Sequence, residues 1–409
     1  MDSMDRLSTV VRASWPTRKS PGRAVCAIRT VYGLAIVVLL AAIAPAALHS
    51  ANNRLGPPSP AAGRGDWGVK VAPAVGVGAG PVAVAIDART ERAFVVNGGG
   101  NSVSMLDTAT GAVRRTTAVG AKPDAIAVDE GAALAFIANG GGNSVSVLDA
   151  ATGALLRTVT VGANPYALAV SIPARRVFVI SNDGVDLLDA ASGVLLTTIA
   201  VGGALNAIAV DDATVRVFVT DQLGNSVITL DAVTEAALHT TRISSIPWTV
   251  ASDARTGHAF VAWNDRVSTL DATTGALLHT ATVGQLPKAL AVDDATGRVF
   301  AANAVDNTVG VLDAATGRLL RATPVGPSPI ALAVDERLGR VYVLDNGSDS
   351  VSVLDARTGA IRGTVPAGAQ PVAAALDPRT GEVFVVDKGS GGEPGAVTIL
   401  TPPRTASRR

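Results

Sequence analysis

The chain has 409 residues, 48% of them hydrophobic and only 3% aromatic, with 42 glycines, a composition that fits a soluble β-rich protein. So few aromatic residues leave Val, Leu, Ile and Ala to fill the interior. Formal net charge is zero; the first 50 residues hold six basic and two acidic residues, which leaves 28 and 32 beyond them, net −4, and excludes bulk attraction to nucleic acid.

Residues 1–30 form a basic N-terminal segment, and residues 31–48 are an unbroken apolar run. Two readings of that run compete. One is a secretory signal with Ala44-Pro45-Ala46 as the small-residue cleavage site. The other is a retained membrane anchor, since about 17–25 apolar residues span a bilayer. Basic residues ahead of the run place the following domain outside the cytoplasm in either case. The single cysteine, Cys26, precedes the run, so the domain beyond it is not held by disulfides. Residues 49–68, rich in Pro, Gly and Ala, read as a flexible linker.

From Val77 a pattern opens and returns almost to the C-terminus. Its starts fall at Val77, Val119, Val161, Val201, Ile243, Val283, Val325 and Ala367, spaced by 40 or 42 residues. Each unit holds four short apolar runs with no room for a helix. In the second unit, Asp124–Val128 alternates Ala125 and Ala127 with Ile126 and Val128, a strand period. Ala135–Asn139, Ser144–Leu148 and Leu155–Val161 follow. Asp149-Ala-Ala-Thr-Gly153 joins the third and fourth runs: Asp bonds back to the turn and Gly supplies positive φ. A period of 40–45 residues with four strands per unit predicts a β-propeller blade.

The residues also carry a family resemblance. Phe218-Val219-Thr220-Asp221 followed by Gly224-Asn225-Ser226-Val227 resembles the YVTN family of β-propeller repeats, as do Phe94–Asp107 and Phe136–Asp149. The likeness covers Val77–Leu400. It implies a fold and leaves the activity open, because propellers host many functions.

There are eight copies of the first three strands but only seven fourth strands after them. Val69–Val75, ahead of the first unit, is the missing strand, expected to pair with Ala396–Leu400 and close the ring. The expectation is an all-β propeller of eight four-stranded antiparallel blades over residues 69–401, seven blades being the alternative, with residues 402–409 a disordered tail. Pro73 inside the closing strand suits an outer edge.

Catalytic and cofactor motifs are missing: no Gly-x-Ser-x-Gly, no His-Glu-x-x-His, no cysteine pair for zinc, no haem-ligand spacing and no Trp-rich quinone-docking repeats. No catalytic residue, metal or cofactor is therefore expected. His239 and His279 share a fourth-strand position that other units fill with Arg157 and Arg321. The triplets Gly98–Gly100 and Gly140–Gly142 lie between strands, without the helix N-terminus a phosphate loop needs. Asp87, Asp129, Asp211, Asp253, Asp293, Asp335 and Asp377 end the first strands, with Ser171 the exception; each reads as the cap of its own turn rather than a cation ligand.

One position varies in chemistry from unit to unit. After the recurrent Pro position stand Val82, Asp124, Tyr166, Asn206, Trp248, Lys288, Ile330 and Val372. The stretch Asp124 to Lys288 is polar or aromatic, the rest aliphatic. Trp263, in a shortened loop, adds a second tryptophan to the same face. Aromatic residues with a polar tip suit binding surfaces. Asp124, Tyr166, Asn206, Trp248, Lys288 and Trp263 are therefore the candidate ligand-binding residues, for a protein, peptide or glycan partner at the channel mouth, with membrane contact only through residues 31–48. A lactonase- or lyase-like enzyme and a structural cell-surface module are the alternatives.

Overall fold

A computed structural model describes residues 34–35, 68–389 and 394–403. The alternating runs form eight antiparallel sheets, one per sequence unit, and the innermost strands follow one another round a closed ring. In blade 2 the order from the centre outward is Pro123–Asp129, Leu134–Asn139, Ser144–Asp149 and Leu155–Thr160. The other blades repeat it. Two faces result. The upper face carries the loops into each innermost strand and the turns from second to third strand. The lower face carries the other turns.

The eighth blade closes as the strand count requires. Its third strand, Ala396–Thr401, pairs antiparallel with the chain's own N-terminal side, Lys70 opposite Thr401 and Val75 opposite Val397. The closing strand is split into Lys70–Val71 and Val75–Gly76, and Pro73, which has no N–H to give, lies in the break. The amide of Ala72 still donates to the Ile399 carbonyl at 2.9 Å.

Packing between blades rests on one aromatic residue in each. All seven phenylalanines of the chain occupy the same second-strand position, Phe94, Phe136, Phe178, Phe218, Phe260, Phe300 and Phe384, and Tyr342 fills it in blade 7. All eight are fully buried. Phe384 shares a cluster with Val84 and Val95 of blade 1, so the ring is closed by packing as well as by hydrogen bonds. The aromatic content is low, but it is placed where each residue covers the most surface. Alanine dominates the innermost strands, where eight sheets converge.

Of the apolar run 31–48 only Leu34–Ala35 falls within the described residues. It forms a two-residue strand parallel to blade 4, Leu34 opposite Ala207 and Ala35 opposite Ile208. The signal-or-anchor reading, the basic segment, most of the linker and most of the C-terminal tail lie outside them. Among the described residues no helix is long and apolar enough to cross a membrane.

Candidate functional site

The upper face is built by a repeated latch. In the turn from second to third strand an Asn takes the left-handed conformation, as at Asn101 (φ 48°) and Asn143 (φ 47°). Its side chain accepts from the backbone N–H of the loop leading into the next blade: Asn101 from Lys122 at 2.7 Å, Asn143 from Asn164 at 2.9 Å, Asn307 from Ser328 at 2.8 Å. The Gly of the Val-Gly pair, Gly202 excepted, lies against the buried polar residue that ends the second strand. A Cβ on Gly120 would fall 2.6 Å from Cγ of Asn139, and one on Gly326 would fall 2.6 Å from Cγ of Asp345. Those polar residues bond onward into the third strand, Asn139 Nδ2 to Ser146 Oγ at 3.0 Å and Ser352 Oγ to Asp345 Oδ2 at 2.6 Å. The motif is thus a packing device.

On this frame the variable position divides into three groups. Val82 is half-buried, and Ile330 and Val372 are buried in the blade cores. Tyr166 and Asn206 are also buried, at 9% and 2% exposure. The Tyr166 hydroxyl donates to the Leu205 carbonyl of the next blade, and Asn206 Nδ2 donates to the Trp248 carbonyl of the blade after that. Burial pushes the Tyr166 phenol well above its usual range. These two side chains fasten neighbouring blades rather than face a ligand. Asp124, Trp248 and Lys288 are half-buried, each keeping part of its surface in solvent.

Asp124 stands apart from the other two, with Lys122 Nζ 3.8 Å from its carboxylate; burial raises its pKa and Lys122 opposes the rise. Lys288 reaches back from blade 6, its Nζ 5.7 Å from the centre of the Trp248 ring, within cation–π range. Partial desolvation lowers the Lys288 pKa. The structure therefore joins Asn206, Trp248 and Lys288 into one run across blades 4 to 6.

Trp263 does not join them on the open face. It is 6% exposed, and its indole N–H donates to Ser268 Oγ at 2.9 Å. It ends the second strand of blade 5, the position of Asn139 in blade 2, and replaces that residue's bond to the third strand. The blade has Ser244 where others have the packed glycine. Arg266 lies 5.5 Å over the indole from the adjoining strand.

The ring encloses a channel cavity of about 570 Å³, lined by all eight blades. Most of the described side chains along it are aliphatic, with Leu168, Ile208 and Leu332 typical, and none of the six candidate residues lines it. The first-strand aspartates cap their turns as expected: Asp87 Oδ1 accepts from the amides of Arg89 and Thr90, and Asp253 Oδ1 from those of Arg255 and Thr256. His239 and His258 bond to the carbonyls of Thr273 and Ala314 in neighbouring turns. Among the described residues no three His, Cys, Asp or Glu side chains converge on a metal position.

Residues 68–275, just over half of the chain, match the family model described as YNCE-like beta-propeller. The chain belongs to the YNCE-like β-propeller family. No curated protein matches it. Among solved structures, this YNCE-like propeller is similar to Kuenenia stuttgartiensis hydrazine synthase, at 17% identity and TM-score 0.57, over 80% of this chain and 97% of that one. It is similar to the computationally designed Ika8 protein, at 18% and 0.65, over 80% and 98%. It is also similar to the dihydro-heme d1 dehydrogenase NirN in complex with DHE, at 14% and 0.63, over 78% and 75%. At such identities the likeness shows the fold alone.

The structure of the YNCE-like propeller adds residues that the sequence did not single out. Asp345 and Asp387 end second strands where Asn97, Asn139 and Asn303 stand elsewhere, and burial raises their pKa values to about 7 and about 6. Asp294, raised to about 6 by burial and by the neighbouring Asp253, lines the channel at its lower end. The Asp293-Asp294 doublet was visible in the sequence, but only ring geometry tells which of the two faces the channel.

Proposed function

We propose that this protein is an exported, non-enzymatic binding module that takes its partner on the upper face, in the sector of Trp248 and Lys288. The observation that carries the reading is the pair itself. At the position where the blades differ in chemistry, the half-buried Trp248 and Lys288 of adjacent blades lie against each other, indole to ammonium. An aromatic face with a cation at its rim suits a peptide or glycan. The YVTN-like residues of the units support a propeller of that repeat type, and the basic segment before the apolar run 31–48 supports export. The test is a glycan and peptide array probed with the full chain, followed by titration of the best binder. Saturable binding lost in Lys288→Met supports the reading. Binding that survives both Lys288→Met and Trp248→Ala sinks it.

A structural cell-surface module is the second reading. It draws on Tyr166 and Asn206, which act as fasteners between blades, and on the mostly aliphatic side chains along the channel. The lactonase- or lyase-like reading has less support, since Asp124 is paired with Lys122 in blade 2 while Lys288 packs on Trp248.

A further inference from the structure

We propose that the partner of the Trp248 sector is a peptide, held in a notch over blade 5 with aliphatic side chains against Leu223, Ile246 and Val305 and a carboxylate against Lys288. The proposal rests on the reading of that sector as the binding face and adds the chemistry of what binds there.

The notch follows from turn lengths. Between second and third strands, blade 4 uses residues 222–225 and blade 6 uses residues 304–307, whereas blade 5 between them uses only Asn264 and Asp265. The short turn is tied to the loops on either side of it. Asn264 Oδ1 accepts from Ser245 Oγ at 3.3 Å, and its carbonyl accepts from the Leu286 amide at 2.8 Å. The two longer turns lean on the same loops. Gln222 Nε2 donates to the Pro247 carbonyl at 3.4 Å, beside Trp248, and the Val305 amide donates to the Gln285 carbonyl at 3.3 Å, in the loop that leads to Lys288. Leu223 and Val305 therefore crest the two sides of the notch, with Ile246, Trp248 and Lys288 between them.

The crests are apolar and open. Leu223 is 77% exposed, Val305 55% and Ile246 43%. One exposed aliphatic residue needs no explanation, but three around a half-buried indole make a patch suited to a partner. The place of Leu223 and Val305 is held by Gly99, Gly141 and Gly347 in the turns of the same length in blades 1, 2 and 7. The turn itself thus calls for no large side chain, and the two that carry one flank the notch.

These flanks separate a peptide from a glycan. A sugar ring would gain from the indole, but the aliphatic crests offer its hydroxyls no hydrogen bond, whereas aliphatic side chains gain at all three positions. The floor sets the sign of the charge. The Lys288 ammonium lies over Trp248, while the acidic residues of the two turns are engaged: Asp265 faces Arg266 at 3.5 Å, and Asp306 Oδ2 accepts from the Gln285 amide at 2.8 Å. A carboxylate on the peptide is the complement to that ammonium.

The test is fluorescence polarisation of the full chain with a labelled decapeptide of alternating leucine and glutamate, against a serine–glutamate and a leucine–lysine decapeptide, with cellohexaose followed by calorimetry. The leucine–glutamate peptide should bind saturably, and the other two peptides should be weaker by about tenfold or more. Leu223→Ser and Val305→Ser should each weaken it by about fivefold and leave the melting temperature unchanged, since both side chains stand in solvent. No saturable binding of the leucine–glutamate peptide, equal binding of either control peptide, or no loss in both serine variants would overturn the proposal. Cellohexaose bound through Trp248 in place of the peptide would also overturn it, yet leave the sector as the binding face. Peptide binding that survives Trp248→Ala and Lys288→Met would sink the proposal and that reading together.

Discussion

Lys288 extends from blade 6 so that its ammonium lies 5.7 Å from the ring centre of Trp248 in blade 5. The contact spans a blade boundary, and both side chains keep part of their surface in solvent. A double-mutant cycle on Trp248→Ala and Lys288→Ala should give a coupling of about 0.5–1 kcal/mol in chemical denaturation. Zero coupling would mean that the two do not interact in solution.

The buried carboxyl of Asp345 makes stability depend on pH. Burial raises its folded pKa from 3.8 to about 7. Between about pH 4 and pH 7 the unfolded chain has released this proton and the folded chain has not, so stability falls as pH rises through that window. The full loss, up to about 4 kcal/mol, is present above pH 7 and absent below pH 4. Asp345→Asn copies Asn97, Asn139 and Asn303. It should raise the melting temperature at pH 8, leave it nearly unchanged at pH 4, and remove part of the slope between. Asp387, raised to about 6, adds a second step of the same sign.

The Val-Gly pair predicts its own sensitivity. Gly120→Ala places a Cβ 2.6 Å from the Asn139 side chain, which is itself pinned by Ser144 and Ser146. The clash should cost about 1–3 kcal/mol. Gly202→Ala, where the added Cβ meets nothing within 4 Å, is the matched control and should cost little. Equal midpoints in urea for the two variants would remove the packing explanation.

Ring closure can be tested from either side of the seam. A chain beginning at Val77 loses both closing segments and leaves Ala396–Thr401 as a bare edge, so it should aggregate in size-exclusion chromatography, whereas one beginning at Gly68 should not. Phe384→Ala attacks the same seam through packing and should cost about 3–5 kcal/mol. A monomeric Val77 chain of unchanged stability would disprove closure by the N-terminal strand.

The architecture was legible because each blade restates it. Period, turn chemistry and the missing fourth strand all point to eight blades and to Val69–Val75 as the closing segment. The site was legible only in part. The variable position after the proline is plain from alignment of the units, but whether its side chain faces solvent or the next blade depends on a neighbour that periodicity does not encode. Tyr166 and Asn206 turn to the next blade; Trp248 and Lys288 do not. Trp263 misleads for another reason. Beside Asn264 and Asp265 it reads as part of a loop, yet alignment with Asn97 and Asn139 sets it at the end of a second strand, where every blade buries its side chain.

The binding reading turns on Trp248. The most direct measurement is equilibrium binding of the best array-selected peptide or glycan to the Trp248→Ala chain, with a thermal melt of the same sample. Binding should weaken by at least about 2 kcal/mol, while the melting temperature stays within about 3 °C of the parent. Undiminished binding, accompanied by the steep loss of stability that a core cavity causes, would contradict it and leave Trp248 a structural residue.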